Sequence, residues 1–437
     1  MKVQKFGGTS VGSAKRIRDV ASLISSSPDK NIIVLSAMSG TTNSLLEIAS
    51  ALKENNKNKA KELIQQLFEK YVAVIDELFD TDEAKNISLG IVKNIFEEIK
   101  SFVNVPYTEK TEKEIVSKGE IISTNLMHQY MIETGKNVTL VPALDFMMID
   151  ENGDPDFKYI EDHLSAILDN LKDYDIIITQ GFICRNPKGE VDNLLRGGSD
   201  YTASIIGAAV KADEVDIWTD IDGMHNNDPR FVEETSPVHN LHFEEAAELA
   251  YFGAKILHPT CILPAKLNNI PVRLLNTMEP EAQGTLINNE LEHGSIKAVA
   301  AKDNITAIKI KSSRMLLAYG FLKKVFEIFE KYRTPIDMIA TSEVGVSLTI
   351  DDDSRLQDIL KELEELGTVT VDNNMVIICV VGDLEWQNKG FEARALDALR
   401  NIPVRMISYG GSNYNISFLI DKVNKTKALR LLSYHLF

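Results

Sequence analysis

Cysteine is scarce in this sequence. Cys184, Cys261 and Cys379 are the whole supply, and their wide spacing matches no zinc or redox pattern. They read as reduced core thiols, which places the chain most simply in the cytoplasm. Long apolar runs are missing too. No segment approaches the roughly 18 consecutive apolar residues of a membrane span, and the N-terminus has no apolar signal core. Positive charge is in deficit, with 47 Lys and Arg against 64 Asp and Glu and a formal net charge of −17. That balance argues against nucleic acid or an anionic membrane as the main partner. Small anionic substrates stay open, because a local cluster of Lys, Arg and backbone N–H groups overrides the overall field.

What is present is a soluble, globular composition: 44% hydrophobic and 25% charged over 437 residues, enough for two or three domains. The opening reads strand, turn, helix. KVQKF is short and extended, GGTS supplies glycine turns and an N-cap candidate, and Ile17, Val20, Ala21 and Ile24 then recur at helical spacing. NIIVLSAM follows as the near-continuous apolar run of a parallel strand buried on both faces. This start predicts an α/β fold with an open, mainly parallel sheet and helices on both faces. From about Ser44 to Tyr130 the pattern is helical and rich in Lys and Glu, with solvated faces. Strand-like runs return at NVTLVPA, DIIITQGFI, EVDIWTD and IPVRLLN. Between them lie RGGSDYTASIIGAAVKA, a glycine turn opening a small-residue helix, and FEEAAELAYFGAKILHP, a helix expected to end at its proline.

Near Ile305 the texture changes. ITAIKIK, GFLKKVFEIFEKYR, PIDMIA, VGVSLTID, a charged helix and GTVTV give β-α-β-β-α-β, and NMVIICVVG through KTKALRLLSY nearly repeats it. A repeat of that order predicts two small ferredoxin-like α+β modules in tandem. The expected organisation is a domain over 1–295, a first module over 305–372 and a second over 373–437, the last residues free to return to the first.

Two glycine turns carry chemistry. In KFGGTSVGS, residues 5–13, the spacing from Gly7 to Gly12 is half of a P-loop, yet the lysine precedes the glycines. Glycines between a buried strand and a helix let backbone N–H groups approach an anion, and a lysine at the strand's end reaches the same group from the side. RGGSD, residues 196–200, is a second such turn with an arginine and an aspartate. Facing each other, the two would hold the anionic ends of a phosphoryl transfer. WTDIDGMHNNDPR, residues 218–230, is dense in carboxylates and amides just after a strand, where α/β sheets bind ligands. It lacks EF-hand spacing and the bidentate glutamate.

KFGGTSV, VLSAMSGTTN, SKGEIISTNL, RGGSDYTA, WTDIDGMHNNDPR and YFGAKILHP, in this order, resemble the signature set of the aspartokinases, members of the amino acid kinase family. The tandem modules resemble the paired ACT domains of those enzymes, so the resemblance covers nearly the whole chain. It implies transfer of the γ-phosphoryl of ATP to the β-carboxylate of L-aspartate, with Mg²⁺ accompanying ATP and no metal held by protein side chains. It implies that Lys5 neutralises the transferring group while Gly7, Gly8, Thr9 and Ser10 cradle phosphate oxygens. Ser36 and Thr42 help to hold aspartate, Glu120 binds its ammonium group, and Arg196, with Gly197, Gly198 and Ser199, clamps a carboxylate. Asp200 orients catalytic groups. Thr219, Asp220, His225, Asp228 and Arg230 form the nucleotide loop, and Lys255 is a second lysine near the phosphates. His225 stands where many relatives carry tyrosine.

MLLAYGFLKKVFEIF and PIDMIATSEVGVSLTID resemble the effector part of lysine-sensitive aspartokinases. This implies feedback inhibition by L-lysine at Met315, Ala318, Gly320, Phe321, Leu322, Asp337, Ser342 and Glu343, with Ala318 standing where relatives often carry serine. A homodimer or tetramer through the modules follows from the same resemblance. Other amino acid kinases share the glycine turns but not the Glu120 segment and tandem modules together. An inactive amino-acid sensor is disfavoured by intact Lys5, Asp200 and Lys255. The length leaves no room for the dinucleotide-binding domain of a bifunctional aspartokinase–homoserine dehydrogenase.

Overall fold

The apolar runs of the first half become strands because both of their faces are covered: every residue of Asn31–Leu35 and of Ile176–Gln180 is buried. The computed structural model describes residues 1–26, 30–171, 174–194, 197–253, 257–312 and 319–437. They form two compact units, one of Met1–Gly223 with Leu257–Asn289 and one of Met224–Ile256 with Glu290–Phe437.

The strands, in chain order, are β1 (Lys2–Phe6), β2 (Asn31–Leu35), β3 (Val138–Leu140), β4 (Ile176–Gln180), β5 (Ile183–Arg185), β6 (Val191–Asn193), β7 (Glu214–Thr219), β8 (Asn240–His242, in the second unit), β9 (Val272–Asn276) and β10 (Thr285–Asn288). In the first unit the sheet runs β3-β4-β2-β1-β7-β9-β10. All neighbours are parallel except β10, which is antiparallel to β9. The mainly parallel sheet expected from the sequence is therefore present. The short hairpin β5–β6 stands apart from it.

The helices of this unit are α1 (Ala14–Ser26), α2 (Thr41–Lys53), α3 (Lys57–Leu78), α4 (Asp82–Ser101), α5 (Glu109–Glu133), α6 (Phe157–Asn170) and α7 (Gly198–Val210). The Lys- and Glu-rich stretch is helical because its apolar residues keep helical period. Ala60, Ile64, Leu67, Tyr71, Ile75 and Leu78 line the buried stripe of α3. Caps fix the starts: Asn56 accepts from the Lys59 amide, Thr81 from the Ala84 amide, and Thr108 with Thr111 closes a capping box. Burying each of its Ile and Leu side chains contributes about 1.5–3 kcal/mol, so tertiary packing rather than propensity holds the stripe.

In the second unit α8 (Phe243–Tyr251) is shorter than its pattern suggested. Gly253 has φ +121°, and a Cβ there would lie 2.3 Å from the Ala301 carbonyl oxygen, so the backbone leaves the helix before the proline. After α9 (Leu263–Leu267, in the first unit) come β11 (Ile296–Lys311), α10 (Phe321–Lys331), β12 (Ile339–Ser342), β13 (Gly345–Ile350), α11 (Leu356–Leu363), β14 (Thr368–Gly382), α12 (Phe391–Ala398), β15 (Val404–Tyr409), β16 (Asn415–Asp421) and α13 (Lys425–Leu436). Strands β11 to β16 make one antiparallel sheet, β12-β13-β11-β14-β16-β15. Two readings change. β11 starts at Ile296, and GTVTV and NMVIICVVG are one strand, β14. Asn374 (φ +59°) and Asn304 (φ +61°) sit at register shifts in that long pair, where asparagine tolerates the left-handed conformation that a bulge needs. One core gathers α10 and α11 and a second gathers α12 and α13.

Candidate active site

Four neighbouring parallel strands, β4, β2, β1 and β7, end at one edge of the first unit's sheet, and the residues following them face one cavity. It has a volume of about 490 Å³. An open α/β sheet binds ligands at this edge because backbone groups beyond the last ladder bond, and the helix N-termini that follow, are left to interact with something else.

Lys5, one residue before the end of β1, is buried to 9% exposure and its ammonium reaches Asp200 Oδ1 at 2.6 Å. Its Nζ lies 3.4 Å from where a Cβ at position 7 would stand, so the cation sits over the glycine turn. The turn is held tightly. The Gly7 amide donates to the Trp218 carbonyl at 3.2 Å and the Gly8 carbonyl accepts from Ser39 at 3.0 Å. A Cβ on Gly8 would be 2.7 Å from the Ala37 carbonyl oxygen, which makes glycine obligatory there. Gly7, Gly8 and Thr9 line the cavity. Ser10 does not: it is fully buried, with its hydroxyl 2.7 Å from that of Thr277.

The second glycine turn arrives from the other side. Gly197 (φ +68°) N-caps α7 with no side-chain cap, and Gly198 and Ser199 line the cavity. Ser199 Oγ accepts from Ser36 Oγ at 2.8 Å, which ties this turn to the loop after β2. On that loop Ser36 lines the wall, as do Gly40 (φ +79°), the uncapped start of α2, and Thr42 in the first turn of that helix. Thr219, at the end of β7, lines it too, and its hydroxyl donates to Asp220 Oδ1 at 3.2 Å.

Glu120, from α5, is the buried acid of the site at 4% exposure. Oε1 accepts from the Ala37 amide at 3.2 Å, while Oε2 has no partner among the described groups. Burial pushes its carboxyl up to about 7, against the smaller opposing pull of that amide. The wall thus carries a cation, Lys5, and an underbonded carboxyl, Glu120: receptors of opposite sign for a small molecule bearing both charges.

The remaining expected residues fall elsewhere. Arg196 and Lys255 lie outside the described residues. His225, Asp228 and Arg230 belong to the second unit. There His225 Nδ1 is 2.8 Å from the Thr235 hydroxyl, and Arg230 forks onto Asp228 at 2.6–3.1 Å. Of the effector residues, Met315 and Ala318 lie outside the described residues. Gly320 (φ +82°) N-caps α10 without a side-chain cap, with Phe321 buried and Leu322 exposed. Asp337 Oδ1 accepts from Lys302 Nζ at 2.6 Å and from the Tyr251 hydroxyl at 2.8 Å. Asp337 lines a cavity of about 280 Å³ together with Glu248, Ser408 and Asn415. The Ser342 hydroxyl is 3.4 Å from the Gly345 carbonyl, and Glu343 is exposed.

Among the residues that went unread in the sequence are Phe182, on the wall, and its neighbour Gly181. Phe182 lines the cavity with φ +69°, a strained conformation for an aromatic residue. Gly181 lets Ser199 approach: a Cβ at 181 would lie 2.3 Å from Ser199 Oγ. The dipeptide Gly181–Phe182 directly after a fully buried strand was the available signal.

Comparison with known proteins agrees with this geometry. The amino acid kinase family model matches residues 1–276 and an ACT domain model matches 378–436. The chain is 34% identical to aspartokinase 1, chloroplastic, of Arabidopsis thaliana, covering 100% of this chain and 80% of that protein. It is 32% identical to lysine-sensitive aspartokinase 3 of Escherichia coli, covering 100% and 99%. A crystal structure of E. coli aspartokinase III in complex with aspartate and ADP superimposes over all of both chains with a TM-score of 0.84.

Proposed function

The chain belongs to the amino acid kinase family, and within it to the aspartokinases, and on that footing we propose that the first unit's cavity is where ATP phosphorylates the β-carboxylate of L-aspartate to give 4-phospho-L-aspartate. One observation carries the assignment of the cavity: Lys5 and Glu120 line the same space of about 490 Å³, and Glu120 keeps one buried carboxyl oxygen without a partner among the described groups. An α-amino acid with an anionic side chain matches both. Its ammonium group satisfies Glu120 Oε2, and its reacting carboxylate lies toward the glycine turns.

The acceptor is already ionised at neutral pH, so the reaction needs no general base. Catalysis then consists of holding two anions together and neutralising the charge between them. Lys5 does the second, kept in place by Asp200. The backbone N–H groups of Gly7, Gly8 and Thr9 and the uncapped start of α7 do the first. Ser36, Thr42 and Ser199 orient aspartate with their hydroxyls, and Arg196 clamps its carboxylate. Thr219, Asp220, His225, Asp228, Arg230 and Lys255 serve the nucleotide. Among the described residues no group of three or more His, Cys, Asp or Glu side chains is arranged to hold a metal ion. Mg²⁺ would accompany ATP as an ion carried on its phosphates, and no step here passes through it. The segment 1–295 acts as the kinase domain. The modules 305–372 and 373–437 take L-lysine as inhibitor and join two copies.

The test is initial-rate kinetics with aspartate, glutamate and acetylglutamate as acceptors, on wild type and Lys5→Ala. Aspartate is expected to be the preferred acceptor, and the variant to stay folded while losing roughly 10²–10³ in kcat, the usual cost of one preorganised charge. A variant keeping half of the wild-type kcat, or a preference for another acceptor, overturns the reading.

A further inference from the structure

The loop between β2 and α2 is gripped from a side that the catalytic reading does not use. Two consecutive residues of α3 reach it. Lys70 Nζ donates to the Ser39 carbonyl at 3.0 Å, and the Tyr71 hydroxyl lies 2.8 Å from Thr41 Oγ1. Tyr71 and Thr41 are both fully buried, and the Tyr71 ring meets Phe96 edge-on at 6.0 Å, so this anchor is rigid. Lys70 is exposed. Ser39 and Gly40, the residues it holds, line the cavity.

The carbonyl of Ser39 and the N–H of Gly40 belong to one trans peptide and point in opposite directions. Fixing the oxygen on Lys70 therefore aims the Gly40 N–H to the other side of the plane. That plane is intrinsically easy to turn over. Gly40 sits at φ +79°, and glycine populates positive and negative φ about equally, so a flipped peptide meets no steric penalty from a side chain. The flip would exchange a donor for a carbonyl oxygen at the wall of a site that binds an anion. The neighbours cannot prevent it. The Ser39 amide is tied to the Gly8 carbonyl at 3.0 Å and the Thr41 amide to the Met38 carbonyl at 2.9 Å, which fixes the ends of the turn but not the plane between them.

We propose that Lys70 is a positioning residue for the acceptor substrate: it locks the Ser39–Gly40 peptide with its N–H toward the bound amino acid, while Tyr71 anchors the next residue through Thr41. The inference rests on the reading that this loop holds aspartate. It concerns a residue of the helical subregion that touches neither substrate, and it gives that subregion a task in acceptor recognition.

The experiment is steady-state kinetics of the full chain with Lys70→Met, Lys70→Arg and Glu120→Gln, repeated in about 0.5 M salt, where charges are screened within a few ångströms. Lys70→Met is expected to raise the aspartate KM about tenfold, the loss of one hydrogen bond to a charged group. ATP KM should stay within about twofold, and so should the melting behaviour, as befits an exposed side chain. Lys70→Arg, which still donates to the carbonyl, is expected to restore most of the affinity, and the Met defect is expected to persist in high salt. An unchanged aspartate KM in Lys70→Met overturns the proposal. So does a defect that vanishes in salt, because Lys70 would then act only by long-range charge. If Glu120→Gln raises the aspartate KM while Lys70→Met does not, the lock alone is wrong. If neither does, the aspartate reading of the cavity fails with it.

Discussion

A carboxyl group with 4% exposure and one oxygen lacking a donor holds its proton more firmly than an exposed one, and Glu120 titrates near 7 for that reason. The sign of the linkage follows. A carboxyl raised from its ordinary 4.5 costs nothing where both states are protonated, below about 4.5, and destabilises the fold increasingly as pH rises through 7. Glu120→Gln keeps an oxygen for the Ala37 amide and removes the ionisation. It is expected to be more stable than wild type at pH 8 by roughly 1–3 kcal/mol, and indistinguishable at pH 4. The same substitution deletes the proposed partner for the substrate's ammonium, so the aspartate KM should rise as stability rises, the trade expected where a site is built for binding rather than for folding. Melting temperatures at the two pH values, with aspartate saturation curves beside them, check both halves. A variant less stable than wild type at pH 8 contradicts the burial argument. Wild-type aspartate affinity should itself weaken below pH 7, as Glu120 takes up its proton in the free protein.

At the scale of elements, the site is made where backbones meet closely enough that side chains are excluded. Gly181 follows β4 against the start of α7, with Ser199 Cα 2.8 Å from where its Cβ would stand. Gly181→Ala must push α7, and Ser199 and Asp200 with it, away from the sheet. The expected result is a loss of about 1–3 kcal/mol in stability, typical of overpacking, and a fall in kcat/KM of at least tenfold; wild-type turnover by a folded Gly181→Ala protein would show that the approach is not needed. This contact also marks the limit of sequence reading. Glu120 came only through the resemblance of its segment to the aspartokinases, whereas Lys5 and the two glycine turns announced themselves because a charge or a glycine pair interrupts an apolar pattern. Gly181 and Phe182 did not, since a lone glycine after a strand is common and its need is set by Ser199, eighteen positions away. Ser10 looked like part of the cradle on its neighbours' account, but its hydroxyl turns to Thr277 on a distant segment. The start of β11 and the unbroken β14 were hidden because asparagines at 304 and 373–374 look like turn residues, whereas in a paired strand they form bulges. The end of α8 was hidden because Gly253 packs closely against the Ala301 backbone, a contact that no local pattern records.

For the whole molecule, the modules' sheet leaves two edge strands, β12 and β15, with Ile339, Ile407 and Tyr409 between 36% and 42% exposed on them. Apolar edges of this kind are completed by another strand or they aggregate, so a homodimer is expected by sedimentation at micromolar concentration; a monodisperse monomer would defeat it. The effector reading depends on the same region. Asp337 has one oxygen engaged by Lys302 and Tyr251, while Oδ2 is buried without a partner among the described groups. Burial outweighs those contacts and raises its carboxyl, so a further cation donating to Oδ2 would relieve it. The uncapped start of α10 at Gly320 offers N–H groups to a carboxylate. Free L-lysine carries both complements. Inhibition by L-lysine is therefore expected, with a coupling of about 1–3 kcal/mol between effector and substrate, or roughly 5–150-fold in affinity. Asp337→Asn keeps the shape and the hydrogen-bonding oxygen but loses the charge. Measured against its own uninhibited rate, it should need at least tenfold more lysine for half-inhibition, and Glu343→Ala should shift in the same direction. The inhibition should also be noncompetitive with aspartate, since Asp337 and Glu120 belong to different compact units. Lysine that competes directly with aspartate, or that inhibits Asp337→Asn and wild type alike, would place the effector somewhere other than the modules.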